Sequence, residues 1–377
     1  MKKERKYMNL QRHKKVIISG GGTGGHIFPA LAIANSLKKL EPGILILFVG
    51  AEDRMEMEKV PAAGYDIVGL PVAGYNRRHI LKNLPVIVRL WKSLRIAGRV
   101  LRDFKPDMVV GVGGYASGPI LRQAGKRGIP LVIQEQNSYA GVTNRLMAKK
   151  ALRIYVAYDD MGRYFPADKI VKTGNPVRQS FENLDTLKKE ALEFFGLSGG
   201  TPVVLVLGGS LGAGTINRSI TDNIKAITDS GSQWIWQTGS NYFEDINALI
   251  SVTSAGNIRV TGFINRMDYA FAAADVIISR AGAGTISELC IVGKPVILVP
   301  SPNVAEDHQT RNAMALSGRN AAVLVPDDMA AEKLVPEALG LLSEPDRRRI
   351  LSRNIKQMAY RDADMKIAGD ILELMNK

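Results

Sequence analysis

The segment Ser19-Gly20-Gly21-Gly22-Thr23-Gly24-Gly25-His26 follows the apolar run Val16-Ile17-Ile18 and leads into Ile27-Phe28-Pro29-Ala30-Leu31-Ala32-Ile33-Ala34. Strand, glycine turn and helix in that order aim backbone N–H groups and a helix N-terminus at the carboxyl end of the strand. Such a place suits an anionic or highly polar ligand. Gly20, Gly22 and Gly25 satisfy G-x-G-x-x-G, which alone is a weak signal. His26 puts a titratable side chain at the mouth of the turn. It suits proton transfer near neutral pH, or it caps the loop.

Other turns carry the same kind of chemistry. Gly111-Val112-Gly113-Gly114-Tyr115-Ala116-Ser117-Gly118 is a second glycine-rich turn after a strand, and Gln134-Glu135-Gln136-Asn137 ends another strand in polar residues. Asn137 either faces a ligand there or caps a helix beginning near Ala140. Gly208-Gly209-Ser210-Leu211-Gly212 can cradle a diphosphate with backbone amides. It also fits G-x-S-x-G, and Asp275 and His308 follow in the order of an α/β-hydrolase, so hydrolysis is a rival. That rival leaves the first glycine turn and the basic segments without a role. A nucleotide-dependent dehydrogenase, with Glu52 or Asp53 on the ribose, is a second rival. Ser279-Arg280-Ala281-Gly282-Ala283-Gly284-Thr285-Ile286-Ser287-Glu288 is a further strand–turn–helix unit. Glu288 suits a ribose diol, or it closes a capping box with Thr285. The polar loop 300–313 offers Gln309 and Asn312 for a sugar pocket.

Some chemistries find no support. The four histidines and Cys290 lack zinc-ligand spacing, and no lysine follows the first turn as a P-loop requires. Asp362-Ala363-Asp364 reads as surface charge, and Cys290 as a packed thiol.

The elements that must position these residues are short β-branched runs separated by helical patterns. They are Val16–Ser19, Ile44–Val49, Met108–Val112, Leu131–Gln134, Arg153–Ala157, Val203–Leu207, Trp234–Gln237, Val276–Ser279, Val296–Val299 and Ala322–Val325. Continuous apolar runs alternating with helices imply parallel sheets covered on both faces. The fold class is therefore α/β, with two Rossmann-like, doubly wound domains facing a cleft. Expected boundaries are a basic arm over 1–15, a first domain over 16–178, a second over 179–345, and helices over 346–377 that return to the first domain.

Composition sharpens this. With 377 residues, two domains of ~150 residues each are expected. One cysteine excludes an intramolecular disulfide and suits a reducing compartment. No apolar run approaches the ~20 residues of a membrane span, and the basic N-terminus lacks the pattern of a secretory signal. The net charge of +14 is concentrated: residues 1–15 carry +6 and residues 76–105 carry +8. Such a field calls for a polyanion. Ile80, Leu81, Leu84, Ile87, Val88, Trp91, Leu94 and Ile96 recur at mostly helical spacing beside Arg77, Arg78, Arg89 and Lys92. That pattern fits an interfacial helix on an anionic membrane, or a core helix with a solvated basic face. Nucleic acid is not expected, because no aromatic ladder or RRM, KH or zinc-finger pattern accompanies the charge.

Six motifs taken together resemble a known family: 20–32, 111–118, 134–137, Gly174-Asn175-Pro176-Val177-Arg178, 208–213 and 283–288. The family is the bacterial undecaprenyldiphospho-muramoylpentapeptide β-N-acetylglucosaminyltransferases, which convert lipid I to lipid II in peptidoglycan synthesis. The resemblance runs from about Val16 to near the C-terminus. It implies a GT-B fold, the acceptor lipid on the first domain and UDP-GlcNAc mainly on the second. It places donor contacts on Thr23, Gly24, Gly25, Asn137, Arg178, Ser210, Ile264 and Gln309. Ala283-Gly284-Thr285 then matches the diphosphate loop, Glu288 the ribose carboxylate, and the turn around Ile264 the uracil site. Arg77, Arg78, Ile80, Leu81, Leu84, Arg89, Trp91 and Lys92 match the membrane-docking region in character. The implied enzyme is peripheral, on the cytoplasmic face of the bacterial inner membrane. The implied chemistry is a single inverting displacement with His26 as base, Glu135 as second candidate, and no cofactor or metal.

Overall fold

The computed structural model describes residues 13–22, 24–72, 84–177, 181, 184–209, 211–253, 255–304 and 307–377. The first lobe runs β1 (Lys15–Ser19), α1 (Gly24–Leu40), β2 (Leu45–Ala51), α2 (Glu56–Ala62), β3 (Asp66–Leu70) and α3 (Leu84–Phe104). It continues through β4 (Met108–Gly111), α4 (Ser117–Lys126), β5 (Leu131–Glu135), α5 (Val142–Met147), β6 (Ile154–Val156) and β7 (Ile170–Lys172). The second lobe runs α6 (Lys188–Phe194), β8 (Val203–Leu207), α7 (Gly214–Thr221), α8 (Ile224–Asp229), β9 (Gln233–Gln237), α9 (Phe243–Ser251) and β10 (Ile258–Thr261). Then come α10 (Met267–Ala273), β11 (Val276–Ser279), α11 (Ala283–Val292), β12 (Val296–Leu298), α12 (His308–Ser317) and β13 (Val323–Leu324). The chain ends in α13 (Ala330–Ser343), α14 (Pro345–Gln357) and α15 (Ala363–Met375).

Two separate parallel sheets result, ordered β3-β2-β1-β4-β5-β6-β7 and β10-β9-β8-β11-β12-β13. In each, the order reverses beside the strand that precedes a glycine turn. β1 lies between β2 and β4, and β8 between β9 and β11. That reversal opens a crevice at the strands' carboxyl ends. Central strands β1 and β8 are buried along nearly their whole length, as sheets covered on both faces must be. Trp234 and Trp236 lie fully buried on one face of β9, and each indole N–H is satisfied, by Ser232 Oγ at 2.8 Å and Asn217 Oδ1 at 3.0 Å.

Three strands escape the sequence pattern: β3, β7 and β10. All are sheet edges of mixed polarity, with mostly half-buried residues. These three edges, unlike β13, have no continuous apolar run to reveal them.

The C-terminal helices divide. α14 packs on the second lobe, with Leu351 and Ile355 in its cores. α15 alone crosses to the first lobe, where Ile367, Ala368 and Ile371 join the core under α1. Asp364 is therefore no surface charge: it is buried and accepts a hydrogen bond from Ser36 Oγ of α1 at 2.5 Å. Ahead of α15, Tyr360 lies against Gly174, whose φ of +82° and lack of a side chain let the crossing segment pass.

Ile371 is fully buried between α15 and α1. Ile371→Ala should cost about 2–5 kcal/mol, seen as a lower urea midpoint for unfolding. An unchanged midpoint would mean that α15 does not stabilise the first lobe.

Candidate active site

The two crevices face each other, and α1 touches α11 across the gap. On the first lobe, two glycine turns interlock. Gly113 and Gly114 have φ of +94° and +83°, and a Cβ on Gly114 would overlap the Gly21 carbonyl. Only glycine permits that approach. Gly24 and Gly25 open α1, and His26 follows in its first turn. The His26 ring lies against Gly113: a Cβ there would sit 3.0 Å from His26 Nε2. Burial, together with His308 of the opposite lobe, holds the His26 imidazole down at about 4, against a weaker upward pull from its hydrogen bond to the Gly21 backbone. His26 is thus neutral at pH 7, the form that accepts a proton.

Glu135 ends β5 and is buried. Its Oε1 accepts the Asn137 N–H at 3.0 Å and Asn137 Nδ2 at 3.3 Å. Its Oε2 accepts the Gly141 N–H and Asn144 Nδ2, both at 2.9 Å. Burial raises its pKa, and these four bonds oppose the rise. The carboxylate shapes the loop 137–144 and presents Asn137, a role different from proton abstraction. Asn137 caps no helix, since α5 begins at Val142 after Gly141.

On the second lobe, α11 begins at Ala283 after an extended Gly282, so Ala283, Gly284 and Thr285 form its first turn. Thr285 is inside the helix, not at its cap, which removes the capping-box reading of Glu288. A Cβ at Gly284 would meet nothing within 4 Å, so that turn borders open space. The Ile264 side chain is buried in the core of the second lobe. Gln309 Oε1 accepts the backbone N–H groups of Ala281 at 3.2 Å and Ser301 at 2.9 Å, joining the turns after β11 and β12.

Side chains join the lobes. Asn312 Oδ1 accepts Ser138 N at 3.2 Å and Ser138 Oγ at 2.9 Å. Asn175 Nδ2 donates to Ser287 Oγ at 3.0 Å, and Arg311 stacks on Tyr139 at 4.5 Å. Asn312 is completely buried, so it is a latch between lobes and not part of a sugar pocket. Behind this latch lies a cavity of about 550 Å³, lined in part by Tyr158, Lys172, Cys290, Arg311 and Arg319. It sits beside the glycine turns, not among them. Burial pushes the Cys290 thiol up to about 12, as a packed thiol requires.

The hydrolase constellation does not assemble. Asp275 precedes β11 at the amino edge of the sheet, where it binds Lys188 Nζ at 2.8 Å and Val203 N at 2.9 Å. His308 opens α12, beyond the carboxyl end of β12 and a strand's length away. Thr23, Arg77, Arg78, Ile80, Leu81, Arg178 and Ser210 lie outside the described residues, as does the side chain of Leu84. On α3, Ser93, Ala97 and Leu101 face the core, whereas Val88 is 65 % and Trp91 64 % exposed beside exposed Arg89 and Lys92. One face of α3 is therefore core, and the other exposes Val88, Trp91, Arg89 and Lys92. Among the described residues, no helix is long and apolar enough to cross a membrane.

Sequence reasoning missed Glu56, which opens α2 and is buried beneath the first glycine turn. Its neighbours Glu52, Asp53 and Glu58 make it look like one more surface acid. The usable signal was Gly21 and Gly50, whose missing side chains leave room for it.

The folded pKa of His26 lies below the unfolded 6.5, so its neutral form is favoured by folding. That contribution is present above about pH 6.5 and lost as pH falls toward 4. In the free protein the His26 ring should titrate near 4 by NMR, well below an exposed histidine. A midpoint near 6.5 would place the ring in water.

The glycosyltransferase family 28 N-terminal domain matches residues 16–156, and the family 28 C-terminal domain matches residues 203–367. A Parabacteroides distasonis protein is 57 % identical over 97 % of this chain and 100 % of its own length. It is named UDP-N-acetylglucosamine–N-acetylmuramyl-(pentapeptide) pyrophosphoryl-undecaprenol N-acetylglucosamine transferase. A Porphyromonas gingivalis protein of the same name is 54 % identical over 96 % of both chains. The crystal structure of Acinetobacter baumannii MurG superposes with a TM-score of 0.76 at 27 % identity, covering 96 % of this chain and 99 % of that one. With two facing lobes of the GT-B type and full-length relatives of this kind, the chain belongs to glycosyltransferase family 28, among the N-acetylglucosamine transferases that these relatives represent.

Proposed function

We infer that this protein transfers N-acetylglucosamine from UDP-GlcNAc to the C4 hydroxyl of MurNAc in undecaprenyl-diphospho-MurNAc-pentapeptide, converting lipid I to lipid II. The observation that carries the chemistry is a neutral imidazole, His26, at the mouth of a cleft bordered by glycine turns from both lobes. The full-length likeness to transferases of that name supports the substrates.

In this reading the C4 hydroxyl attacks C1 of GlcNAc while UDP leaves from the opposite face. Inversion follows from the single displacement. His26 accepts the hydroxyl proton as the new bond forms. The diphosphate gains charge as it leaves, and fixed amides at Gly209–Ser210 and Gly284–Thr285, with the α11 dipole, stabilise that charge. Arg178 adds a cation. Glu288 accepts two hydrogen bonds from the ribose diol, the turn of Ile264 reads the uracil edge through its backbone, and Ala283 lines the diphosphate turn. Gly24 and Gly25, which open α1, border the reacting sugars together with Thr23 of the same motif, while Asn137 and Gln309 face GlcNAc. Glu135 holds Asn137 in place. Negative charge on the bound diphosphate favours imidazolium, so donor binding draws the His26 pKa upward during turnover.

The first lobe carries the acceptor. Exposed Val88 and Trp91, set among Arg89 and Lys92, enter the headgroup region of an anionic membrane at its cytoplasmic face. Arg77, Arg78, Ile80, Leu81 and Leu84 extend the same region. The protein is then peripheral, with its donor lobe in water.

His26→Ala should lower kcat by about 10²-fold or more, with little change in UDP-GlcNAc affinity by calorimetry. Unchanged turnover would remove His26 as the base. Glu288→Ala should chiefly raise the KM for UDP-GlcNAc, and an unchanged KM would detach it from the ribose. Arg89→Glu, Trp91→Glu and Lys92→Glu together should abolish sedimentation with phosphatidylglycerol vesicles. Full sedimentation would place docking elsewhere.

A further inference from the structure

Glu56 is completely buried, and its carboxylate lies against backbone N–H groups. Oε1 accepts the N–H of Gly22 at 3.0 Å and of Ala51 at 2.9 Å, and Oε2 accepts that of Gly22 at 3.1 Å. One side chain thereby ties the first glycine turn to the end of β2. Charge-assisted bonds of this kind are stronger than neutral ones. The surroundings are cut to fit. A Cβ on Gly21 would overlap Glu56 Oε1, and one on Gly50 would come within 2.6 Å of Glu56 Cγ. Gly21 has an ordinary negative φ, so its lack of a side chain serves space and not backbone freedom.

The same two residues lead to the site. The Gly21 backbone accepts a hydrogen bond from the His26 ring. Gly114 closes on the Gly21 carbonyl from the other side. The turn is thus pinned from below by a carboxylate and from above by a second glycine turn, and it holds the imidazole by one edge. A shift of the turn by an ångström would swing the ring, and misplacement of that size costs catalysis heavily.

We propose that Glu56 is a positioning residue for glycosyl transfer: it fixes the Gly20–Gly22 turn and, through the Gly21 carbonyl, aims the ring of His26. The link to catalysis rests on His26 as the base. The hold on the turn does not. Because Glu56 takes the Gly22 N–H, that amide is not left for a ligand.

The test is steady-state kinetics of the full chain with UDP-GlcNAc and a short-chain lipid I analogue, beside calorimetric UDP-GlcNAc binding. Glu56→Ala should lower kcat by about 10- to 100-fold while donor affinity stays within about twofold. Glu56→Gln retains one oxygen for Gly22 and Ala51 and should recover most of the rate. Gly21→Ala should reproduce the loss by displacing the carboxylate, yet add less than about twofold in a Glu56→Ala background. Adding Glu56→Ala to His26→Ala should likewise change little. Unchanged kcat in Glu56→Ala, or independent losses for Gly21→Ala and Glu56→Ala, would overturn the proposal. Independent losses for Glu56→Ala and His26→Ala would cut the link between turn and ring. Should Glu56→Ala fail to fold, Glu56→Gln and Gly21→Ala decide: a slow Glu56→Gln with intact donor binding, or a fully active Gly21→Ala, overturns it. Full turnover in His26→Ala would defeat the assignment of the base, while the Gly21–Glu56 coupling would still judge the hold on the turn.

Discussion

Neither lobe carries a complete site, so the chemistry depends on the seam that brings them together. Among the described residues the seam is made by polar contacts: Asn312 to Ser138, Asn175 to Ser287, Arg319 to Asp159, and Arg311 over Tyr139. These contacts are directional, and they fix how one set of strand ends faces the other. They are also few, and net worth is modest for each such bond. A seam of this kind orders the cleft without welding it, which suits an enzyme that must admit a nucleotide sugar and release UDP. A broad apolar interface would hold the lobes too firmly for that exchange.

The polar residues at the end of β5 show how closely the seam and the site are joined. Gln136 Nε2 donates to the Val112 carbonyl at 2.7 Å, in the second glycine turn. Gln134 Nε2 donates to Asn175 Oδ1 at 2.9 Å, and Asn175 Nδ2 donates to the Gln136 carbonyl at 3.0 Å. That same Asn175 reaches Ser287 on the other lobe. Buried polar networks of this sort are costly when incomplete, so they specify one arrangement. Here the arrangement specified includes the glycine turn that cups His26 and the first contact across the seam. α15 adds a second restraint, because a chain that has built the second lobe must return to bury Ile367 and Ile371 against the first.

The architecture was legible in the sequence wherever burial is two-sided. Every central strand showed as an apolar run, and each glycine turn marked a carboxyl end. What stayed hidden follows from the same physics. β3, β7 and β10 are edges, with one side and often one face in water. The site divided in a similar way. Glycine turns and polar strand ends announce backbone chemistry, because only backbone and small residues let a ligand approach. Side chains that serve by holding other residues leave no such mark. Glu135 and Asn312 stand out in the sequence only with other roles, and Glu56 not at all, until the fold buries them. Asp364 misled for this reason: an acid on an amphipathic helix reads as solvated unless the helix is known to cross lobes.

Electrostatics explains why the basic excess and His26 occupy different parts of one lobe. A membrane-facing surface needs cations in water, where each contributes weakly but together they attract an anionic plane. Arg89, Lys92, Arg95 and Arg99 are exposed along α3, as the proposed docking role requires. The reacting group needs the reverse: removal from water and neutrality before the substrate arrives. His26 obtains both from burial between glycine turns, with His308 opposing any charge on it. Were the basic surface to extend to the ring, its field would hold the imidazole neutral even after the diphosphate bound, and the rise in basicity that turnover requires would be lost. With the cations exposed on α3 and His26 buried between glycine turns, the proton affinity of the ring is set by its own pocket.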